Sequence, residues 1–159
     1  MSFGTGHHAT TYMMVEIMKD LDFKNHSVLD FGTGTGVLAI LACKMGADSI
    51  LALDSDPWSI ENAVENVQLN DCPCVRVEQK DSISGTGTFN IILANINRKV
   101  LLENMEFLRQ HLEDSGVFIG CGVLESDEEK IRQLSTSLGF YMEKLRIRDN
   151  WMSFSLKIR

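Results

Sequence analysis

The hydrophobic pattern of the chain predicts an α/β fold: a doubly wound, mostly parallel seven-stranded sheet with one antiparallel edge strand. Short apolar runs alternate with segments of helical periodicity, as expected for parallel strands joined by crossover helices. A glycine-rich turn follows the first apolar run, with glycines at 32, 34 and 36. Two strand patterns follow each other at the end of the chain and predict a hairpin at one edge of the sheet. The 159 residues suit a single domain.

Five segments have the apolar spacing of helices packed on a sheet. They are residues 10–21, 37–45, 57–70, 97–111 and a last helix that begins near residue 126. The third has two start signals, with Asp56 as the N-cap and Pro57 at the first helical position. Ser126 and Glu129 have the spacing of a capping box, which predicts the start of the last helix.

Seven short runs are predicted as strands. They are residues 27–31, 49–54, 74–79, 89–95, 116–122, 140–148 and 151–159. In the last run, Met152, Phe154, Leu156 and Ile158 alternate with polar side chains, which predicts a half-buried strand. Asp149 and Asn150 separate the last two runs and are typical of a tight hairpin turn.

Composition and charge narrow the classes of function. The net charge is -7 and 23% of the residues are charged, so the surface is expected to repel phosphates and direct binding of nucleic acid is not predicted. Lys144, Arg146 and Arg148 form the one basic cluster, but they alternate along a strand and fit a solvated face. No apolar run approaches the roughly 20 residues needed to span a bilayer, and no signal peptide is recognised. We therefore expect a cytoplasmic protein without membrane association.

The cysteines and histidines do not predict a metal site. The cysteines are Cys43, Cys72, Cys74 and Cys121. None of them forms C-x-x-C, and the CPC of 72–74 is too tight for the usual zinc spacing. The four histidines show no H-E-x-x-H or related pattern. Reduced and mostly buried thiols are the expectation.

The sequence of the glycine-rich turn excludes two common classes of cofactor-binding motif. It reads D-x-G-x-G-x-G over residues 30–36, whereas the dinucleotide fingerprint needs its third glycine at position 37, which is Val37. No Gly-Lys-Ser/Thr is present, so a Walker A loop is also excluded. Asp54 lies 22 residues after Gly32, at the end of the second predicted strand, where an acidic side chain can accept both hydroxyls of a ribose.

This turn resembles the first motif of the class I S-adenosylmethionine-dependent methyltransferases, which have a Rossmann-like fold. The resemblance implies S-adenosyl-L-methionine as cofactor, passing over Gly32 and Gly34, where a side chain would obstruct the approach. It implies that Asp30 stabilises the cofactor ammonium, directly or through water, and that Asp54 binds the ribose.

Two further segments narrow the resemblance. The N-terminal FGTGHHATT, from Phe3, and the pair Asn95-Ile96 resemble the lysine methyltransferases that modify large-subunit ribosomal protein eleven. The likeness covers nearly the whole chain, although His7 and Ala9 replace a common Thr and Pro. Carried over by position, it implies cofactor contacts at Thr11, Gly32, Asp54 and Asn95. The first FGTG is then expected to fold over the cofactor that the second one holds.

The resemblance implies an enzyme: a protein N-methyltransferase acting on lysine, and N-terminal, amines of ribosomal protein eleven as a monomer. Asn95 is the predicted catalytic residue, orienting the target amine through its side-chain oxygen. No proline follows Asn95-Ile96, which differs from the motif of the glutamine and adenine methyltransferases. His8 is a candidate general base, but a structural hydrogen bond to the backbone is favoured.

Two alternatives remain open at this point: a class I methyltransferase for a small molecule or RNA, and a cofactor-binding module without turnover. The resembled family places a substrate-recognition domain before its catalytic domain. Residues 1–159 are therefore expected to be one methyltransferase domain, the C-terminal catalytic part of a longer protein. Cofactor binding is expected to persist in it, whereas methylation of a protein is expected to be weak.

Overall fold

The computed structural model describes residues 8–159. The first FGTG segment and His7 lie outside these residues. That this segment folds over the cofactor therefore stays a prediction. Within the described range the strands form one seven-stranded sheet in the order β3-β2-β1-β4-β5-β7-β6. The strands are β1 Ser27–Phe31, β2 Ser49–Asp54, β3 Val75–Gln79, β4 Phe89–Asn95, β5 Leu112–Leu124, β6 Phe140–Arg148 and β7 Trp151–Ile158.

Five α-helices accompany the sheet across residues 8–159. They are α1 Ala9–Met18, α2 Val37–Lys44, α3 Pro57–Leu69, α4 Arg98–Gln110 and α5 Glu128–Ser137. None of these helices is long and apolar enough to cross a membrane. The predicted doubly wound α/β fold is confirmed, and the bounds of β1, β2 and β4 agree with the sequence prediction to the residue.

The five strands β1 to β5 are parallel to one another. From β1 the chain proceeds outward through β2 to β3 and then returns to add β4 on the other side of β1. This reversal makes the β1/β4 boundary the switch point of the sheet, where the helices leave a crevice at the carboxyl ends of the strands. Asp30 on β1 pairs there with Leu93 on β4.

The predicted hairpin at the sheet edge is confirmed, and a tight two-residue turn joins its strands β6 and β7. Asp149 and Asn150 have φ values of 50° and 66°, the left-handed pair that a two-residue type I′ turn requires. β7 is antiparallel to both of its neighbours and lies one position in from the edge, between β5 and β6.

The prediction of a half-buried last strand was wrong. Ser153 and Ser155 of β7 are buried along with the apolar residues between and beside them. An inner strand has both faces covered, and α1 packs on the serine side, where the Ser153 hydroxyl donates to the Gly120 carbonyl oxygen at 3.2 Å. The hydroxyl therefore finds a backbone partner in place of water.

The core has two layers, one on each face of the sheet. One layer includes the buried sides of α1 and α2, such as Met14 and Ala39, whereas the other includes those of α4 and α5, such as Leu101 and Ile131. Alternate residues of β1 face the two layers, with Val28 in the first and Leu29 in the second. Covering on both faces explains why the parallel strands are continuous apolar runs.

The two capping predictions had different outcomes. Asp56 caps α3 as predicted, with its carboxylate accepting from the Ser59 N–H at 3.1 Å and Pro57 in the first turn. The predicted capping box was wrong, because Ser126 lies within a short 3-10 turn, Glu125–Asp127, and α5 begins only at Glu128 with Asp127 before it.

Candidate active site

The glycine-rich loop between β1 and α2 has three residues in a left-handed backbone conformation that only glycine adopts readily. Gly32, Gly34 and Gly36 have φ values of 80°, 58° and 83°. The loop is tied to the end of β2, since the N–H groups of Gly32 and Thr33 both donate to the Leu53 carbonyl at 2.9 and 2.8 Å. This anchoring holds the loop over the carboxyl ends of β1 and β2.

Ile96, just after β4, packs between two glycines. A Cβ at Gly32 would lie 2.4 Å from the Ile96 Cγ2 atom, and a Cβ at Gly122 would lie 1.9 Å from the Ile96 carbonyl oxygen. Both distances are far below contact distance. Ile96 is therefore packed closely against the loop after β1 on one side and against the last residues of β5 on the other, and neither glycine position has room for a side chain.

Asp54 ends β2 beside this loop. One carboxylate oxygen accepts from the Gly34 N–H at 2.9 Å and the other from the Asp56 N–H at 3.0 Å. The side chain is only half-buried and lines the cleft described below. A carboxylate oxygen accepts more than one hydrogen bond, so the fixed carboxylate retains capacity for ligand hydroxyls.

Asp30 lies beneath the loop. It is 1% exposed, its Oδ2 accepts from the Thr33 hydroxyl at 2.7 Å, and its Oδ1 has no hydrogen-bond partner among residues 8–159. Burial raises the pKa of the Asp30 carboxyl to about 6, against the opposing effects of the Thr33 hydroxyl and the Ala39 backbone N–H, and the charge of Asp54 raises it further. An unsatisfied, buried carboxylate oxygen favours a cationic partner nearby.

Asn95 is the last residue of β4, at the switch point. Its side-chain N–H donates to the Thr11 hydroxyl at 3.4 Å, a long hydrogen bond that joins β4 to the start of α1. Thr11 is 1% exposed, so packing holds its hydroxyl in place as the acceptor of this hydrogen bond. With the amide nitrogen directed to Thr11, the side-chain oxygen of Asn95 is left to accept from another group.

A cleft of about 520 Å³ opens at this end of the sheet. Among the predicted site residues, Gly32, Gly34, Asp54 and Asn95 line it. Asp30 and Thr11 are buried and are not among the residues of 8–159 that line it. The charged side chains of the described lining are four carboxylates and one ammonium, those of Asp54, Asp56, Asp81, Glu103 and Lys80. Such a lining favours a cationic ligand over a phosphate.

The family model of ribosomal protein L11 methyltransferase (PrmA) matches residues 1–159. The chain belongs to the ribosomal protein L11 methyltransferase family. This membership confirms the resemblance inferred from the two FGTG segments and from Asn95-Ile96.

Curated relatives in the family include the ribosomal protein L11 methyltransferases of Porphyromonas gingivalis and Chlorobaculum tepidum. The first is 40% identical over 153 residues, covering 95% of this chain and 53% of that protein. The second is 42% identical over 159 residues, covering 96% of this chain and 55% of that protein. The chain thus spans about half the length of these curated relatives.

Solved structures agree with the family. A crystal structure of ribosomal protein L11 methylase from Lactobacillus delbrueckii subsp. bulgaricus superposes with a TM-score of 0.92 at 30% identity, covering 97% of this chain and 81% of that one. Precorrin-6y C5,15-methyltransferase from Geobacter metallireducens has a TM-score of 0.78 at 13% identity, covering 96% and 90% of the two chains, and shows a shared fold.

A smaller cavity of about 50 Å³ also borders Asn95. Its described lining includes Thr10, Gly122 and Trp151 as well as Asn95. Sequence reasoning did not single out Trp151 or Gly122. The predicted hairpin was the available signal for Trp151, because a strand returning beside β5 places its first residue at the carboxyl end of the sheet, and Trp151 pairs there with Leu124.

His8 has the structural role that the sequence favoured over general base. Its ring nitrogen Nδ1 accepts from the Thr10 N–H at 3.3 Å and lies 2.7 Å from the Thr10 hydroxyl, so His8 caps α1. The ring also packs edge-on against Trp151, with centroids 5.5 Å apart. The helix cap therefore borders the smaller cavity.

Proposed function

We propose that this chain is an S-adenosyl-L-methionine-dependent methyltransferase domain that methylates lysine, and N-terminal, amines of ribosomal protein L11. The observation that carries the proposal is the placement of Asn95, where an acidic cleft and a small cavity meet. A cofactor held in the cleft and an amine entering the small cavity would both reach this residue. Membership in the family supplies the substrate class.

The cleft residues suit S-adenosylmethionine. When bound, the cofactor supplies a methyl group on a positively charged sulfur. The carboxylate-rich lining complements that charge and the ammonium, whereas it would oppose the pyrophosphate of a dinucleotide. Asp54 would accept from the ribose hydroxyls, and Gly32 and Gly34 allow the backbone to approach. Asp30 would act from beneath the loop, through its unsatisfied Oδ1, on the ammonium.

The target amine must be neutral to act as a nucleophile. A free lysine has a pKa near 10.4, so about 4 in ten thousand are neutral at pH 7, and reaching that state costs about 4.6 kcal/mol. Desolvation lowers this cost. We propose that the small cavity, walled in part by Trp151, removes water from the amine, and that the Asn95 side-chain oxygen accepts one of its N–H groups. Alignment then provides most of the remaining rate enhancement.

Thr11 is proposed as a positioning residue. Its hydroxyl holds the Asn95 amide nitrogen, so that the opposite atom of the amide, the oxygen, is presented to the substrate. We further propose that the enzyme acts in the cytoplasm, where ribosomal proteins are made, and that it acts as a monomer. Its net charge of -7 supports the proposal that it makes no direct contact with nucleic acid. The domain is proposed to be the catalytic part of a longer protein.

A methyl-transfer assay tests the proposal. The purified chain is incubated with methyl-labelled S-adenosylmethionine and, in separate reactions, purified ribosomal protein L11, ribosomal RNA and a small-molecule extract. Label on lysine or N-terminal amines of the ribosomal protein is the expected result. Label only in the RNA or in the small-molecule fraction would contradict the proposed substrate. Cofactor binding without label in any fraction would indicate a binding module.

A further inference from the structure

A cluster of three cysteines lies at the opposite end of the sheet from the cleft. Cys43 is in the last turn of α2, and Cys72 and Cys74 flank Pro73 between α3 and β3. The Cys74 S–H donates to the Cys43 Sγ, with the two sulfur atoms 2.8 Å apart. This separation is only about 0.8 Å longer than a disulfide bond.

Backbone contacts hold the two thiols in place. The Cys74 carbonyl accepts from the Ile50 N–H at 2.9 Å, which fixes it to the start of β2. The Lys44 ammonium, next to Cys43, donates to the Asn70 carbonyl at 2.5 Å, which ties the end of α2 to the end of α3. The sulfur atoms are thus brought together by the fold, not by free rotation of two surface side chains.

Metal binding and disulfide formation are the two common roles of clustered thiols. No group of three or more metal-ligating side chains suited to an ion is found between residues 8 and 159. All four cysteines are free thiols, and Cys43 and Cys74 are only half-buried. A small oxidant can therefore approach this pair from the surface.

We propose that Cys43 and Cys74 form a reversible disulfide that links α2 to the α3–β3 connection. In the first step the Cys74 thiolate attacks one sulfur of a small disulfide, forming a mixed disulfide and releasing one small thiolate. The Cys43 thiolate then attacks the Cys74 sulfur and displaces the second small thiolate. Two electrons pass from the protein to the small disulfide, and the two protein protons go to the departing thiolates.

The third thiol is not part of the bond. Cys72 is 2% exposed, and its S–H donates to the Asn70 carbonyl at 3.5 Å. Burial raises the pKa of the Cys43 and Cys72 thiols. The contact with Cys74 raises the pKa of Cys43 further, whereas a hydrogen bond between Cys43 and Cys72 lowers the pKa of Cys43 and raises that of Cys72. The exchange is therefore expected to be slow at neutral pH. In a reducing compartment the pair stays as thiols.

The disulfide would stiffen the domain without closing the cleft. Along β2 the cluster lies beside Ile50, about 13 Å from Asp54 at the other end of the strand. The bond would close a chain segment between positions 31 residues apart, which includes all of β2 and α3. Restricting the unfolded chain in this way is expected to raise the melting temperature by about 5–10 °C.

Peptide mapping by mass spectrometry tests the proposal, with oxidised glutathione as the small disulfide. After incubation the chain is expected to lose two free thiols and to give a peptide joining Cys43 to Cys74, reversed by dithiothreitol. The variant Cys43→Ser should retain one glutathione on Cys74, and Cys74→Ser should form no internal disulfide. Cys72→Ser and Cys121→Ser, the latter buried in β5, are matched controls that should still form the Cys43–Cys74 bond.

Three results would overturn the proposal, each in the unaltered chain, so that none depends on a variant folding. They are a link between Cys43 and Cys72, a stable glutathione adduct at Cys74, and four unreacted thiols after prolonged incubation. Cofactor binding and methyl transfer are not read out in this experiment. Its outcome is therefore independent of the proposed function.

Discussion

The side chains of Thr11 and Asn95 are hydrogen-bonded across 3.4 Å, although 84 positions separate them in the chain. The bond joins α1 to the carboxyl end of β4, where the cleft and the smaller cavity meet. In the proposed function this bond sets which atom of the Asn95 amide faces the target amine.

Replacing the Thr11 hydroxyl is expected to slow methyl transfer more than it weakens cofactor binding. Thr11→Val keeps the buried volume but leaves the Asn95 amide free to rotate, and misplacement of an aligning group costs about tenfold to a hundredfold in rate. Steady-state kinetics and calorimetry measure the two effects. Thr11→Ser, which restores the hydroxyl, should recover most of the rate. A Thr11→Val enzyme with an unchanged rate would rule out the positioning role.

Loss of the Asp54 carboxylate is expected to weaken S-adenosylmethionine binding by about 2–3 kcal/mol, the range for hydrogen bonds to a charged group. Asp54→Ala also removes the acceptor of the Gly34 N–H, so the variant loses a ribose contact and an anchor of the glycine-rich loop together. Asp48→Ala, an exposed aspartate just before the other end of β2, is the control and should bind normally. Calorimetry that shows equal affinity for Asp54→Ala and Asp48→Ala would refute the ribose assignment.

Gly32→Ala is expected to disturb both stability and cofactor binding. A Cβ there meets the Ile96 side chain at 2.4 Å, so Ile96 must move within the cleft wall. Gly139→Ala is a matched control, because its φ of 82° nearly equals the 80° of Gly32 and no atom lies within 4 Å of the added Cβ. In both variants the free energy of unfolding should fall by about 1–2 kcal/mol, because alanine is strained in the left-handed backbone conformation. Only Gly32→Ala should lose more stability than this and bind the cofactor weakly. Equal losses in the two variants would disprove the steric contact.

The buried Asp30 predicts a specific dependence of stability on pH. Its pKa is raised from 3.8 to about 6 in the folded chain, so folding favours the protonated form. Its stabilising contribution is fully present below pH 3.8 and is lost as the pH rises through about 6, a change on the order of 3 kcal/mol. Asp30→Asn does not titrate. Denaturant unfolding at several pH values should show that Asp30→Asn gains stability relative to the unaltered chain between about pH 4 and pH 6. A difference that stays constant across this range would contradict the raised pKa.

Much of the fold could be predicted from the sequence because its signals are local. Apolar runs gave the bounds of β1, β2 and β4, and Asp56-Pro57 gave the start of α3. The burial of Ser153 could not be predicted in the same way, since alternation describes one strand and not its place in the sheet. β7 is enclosed because it inserts between β5 and β6, which is a matter of strand order.

The candidate site was predictable to a similar extent. The glycine-rich turn, Asp54 and Asn95 each follow a strand, and parallel strands bring their carboxyl ends together. The contact of Thr11 with Asn95 and the place of Trp151 beside it depend on how α1 and the hairpin pack on the sheet. No spacing along the chain encodes such packing.

The most direct test of the central claim compares Asn95→Ala with the unaltered chain on ribosomal protein L11. Methylated amines are counted by mass spectrometry at saturating S-adenosylmethionine, while calorimetry gives the cofactor affinity and thermal unfolding gives the stability. We predict a rate at least a hundredfold lower for Asn95→Ala, with a melting temperature within about 3 °C of the unaltered chain, because one acceptor at a strand end is lost and little packing changes. A near-normal rate of amine methylation by Asn95→Ala would contradict the account.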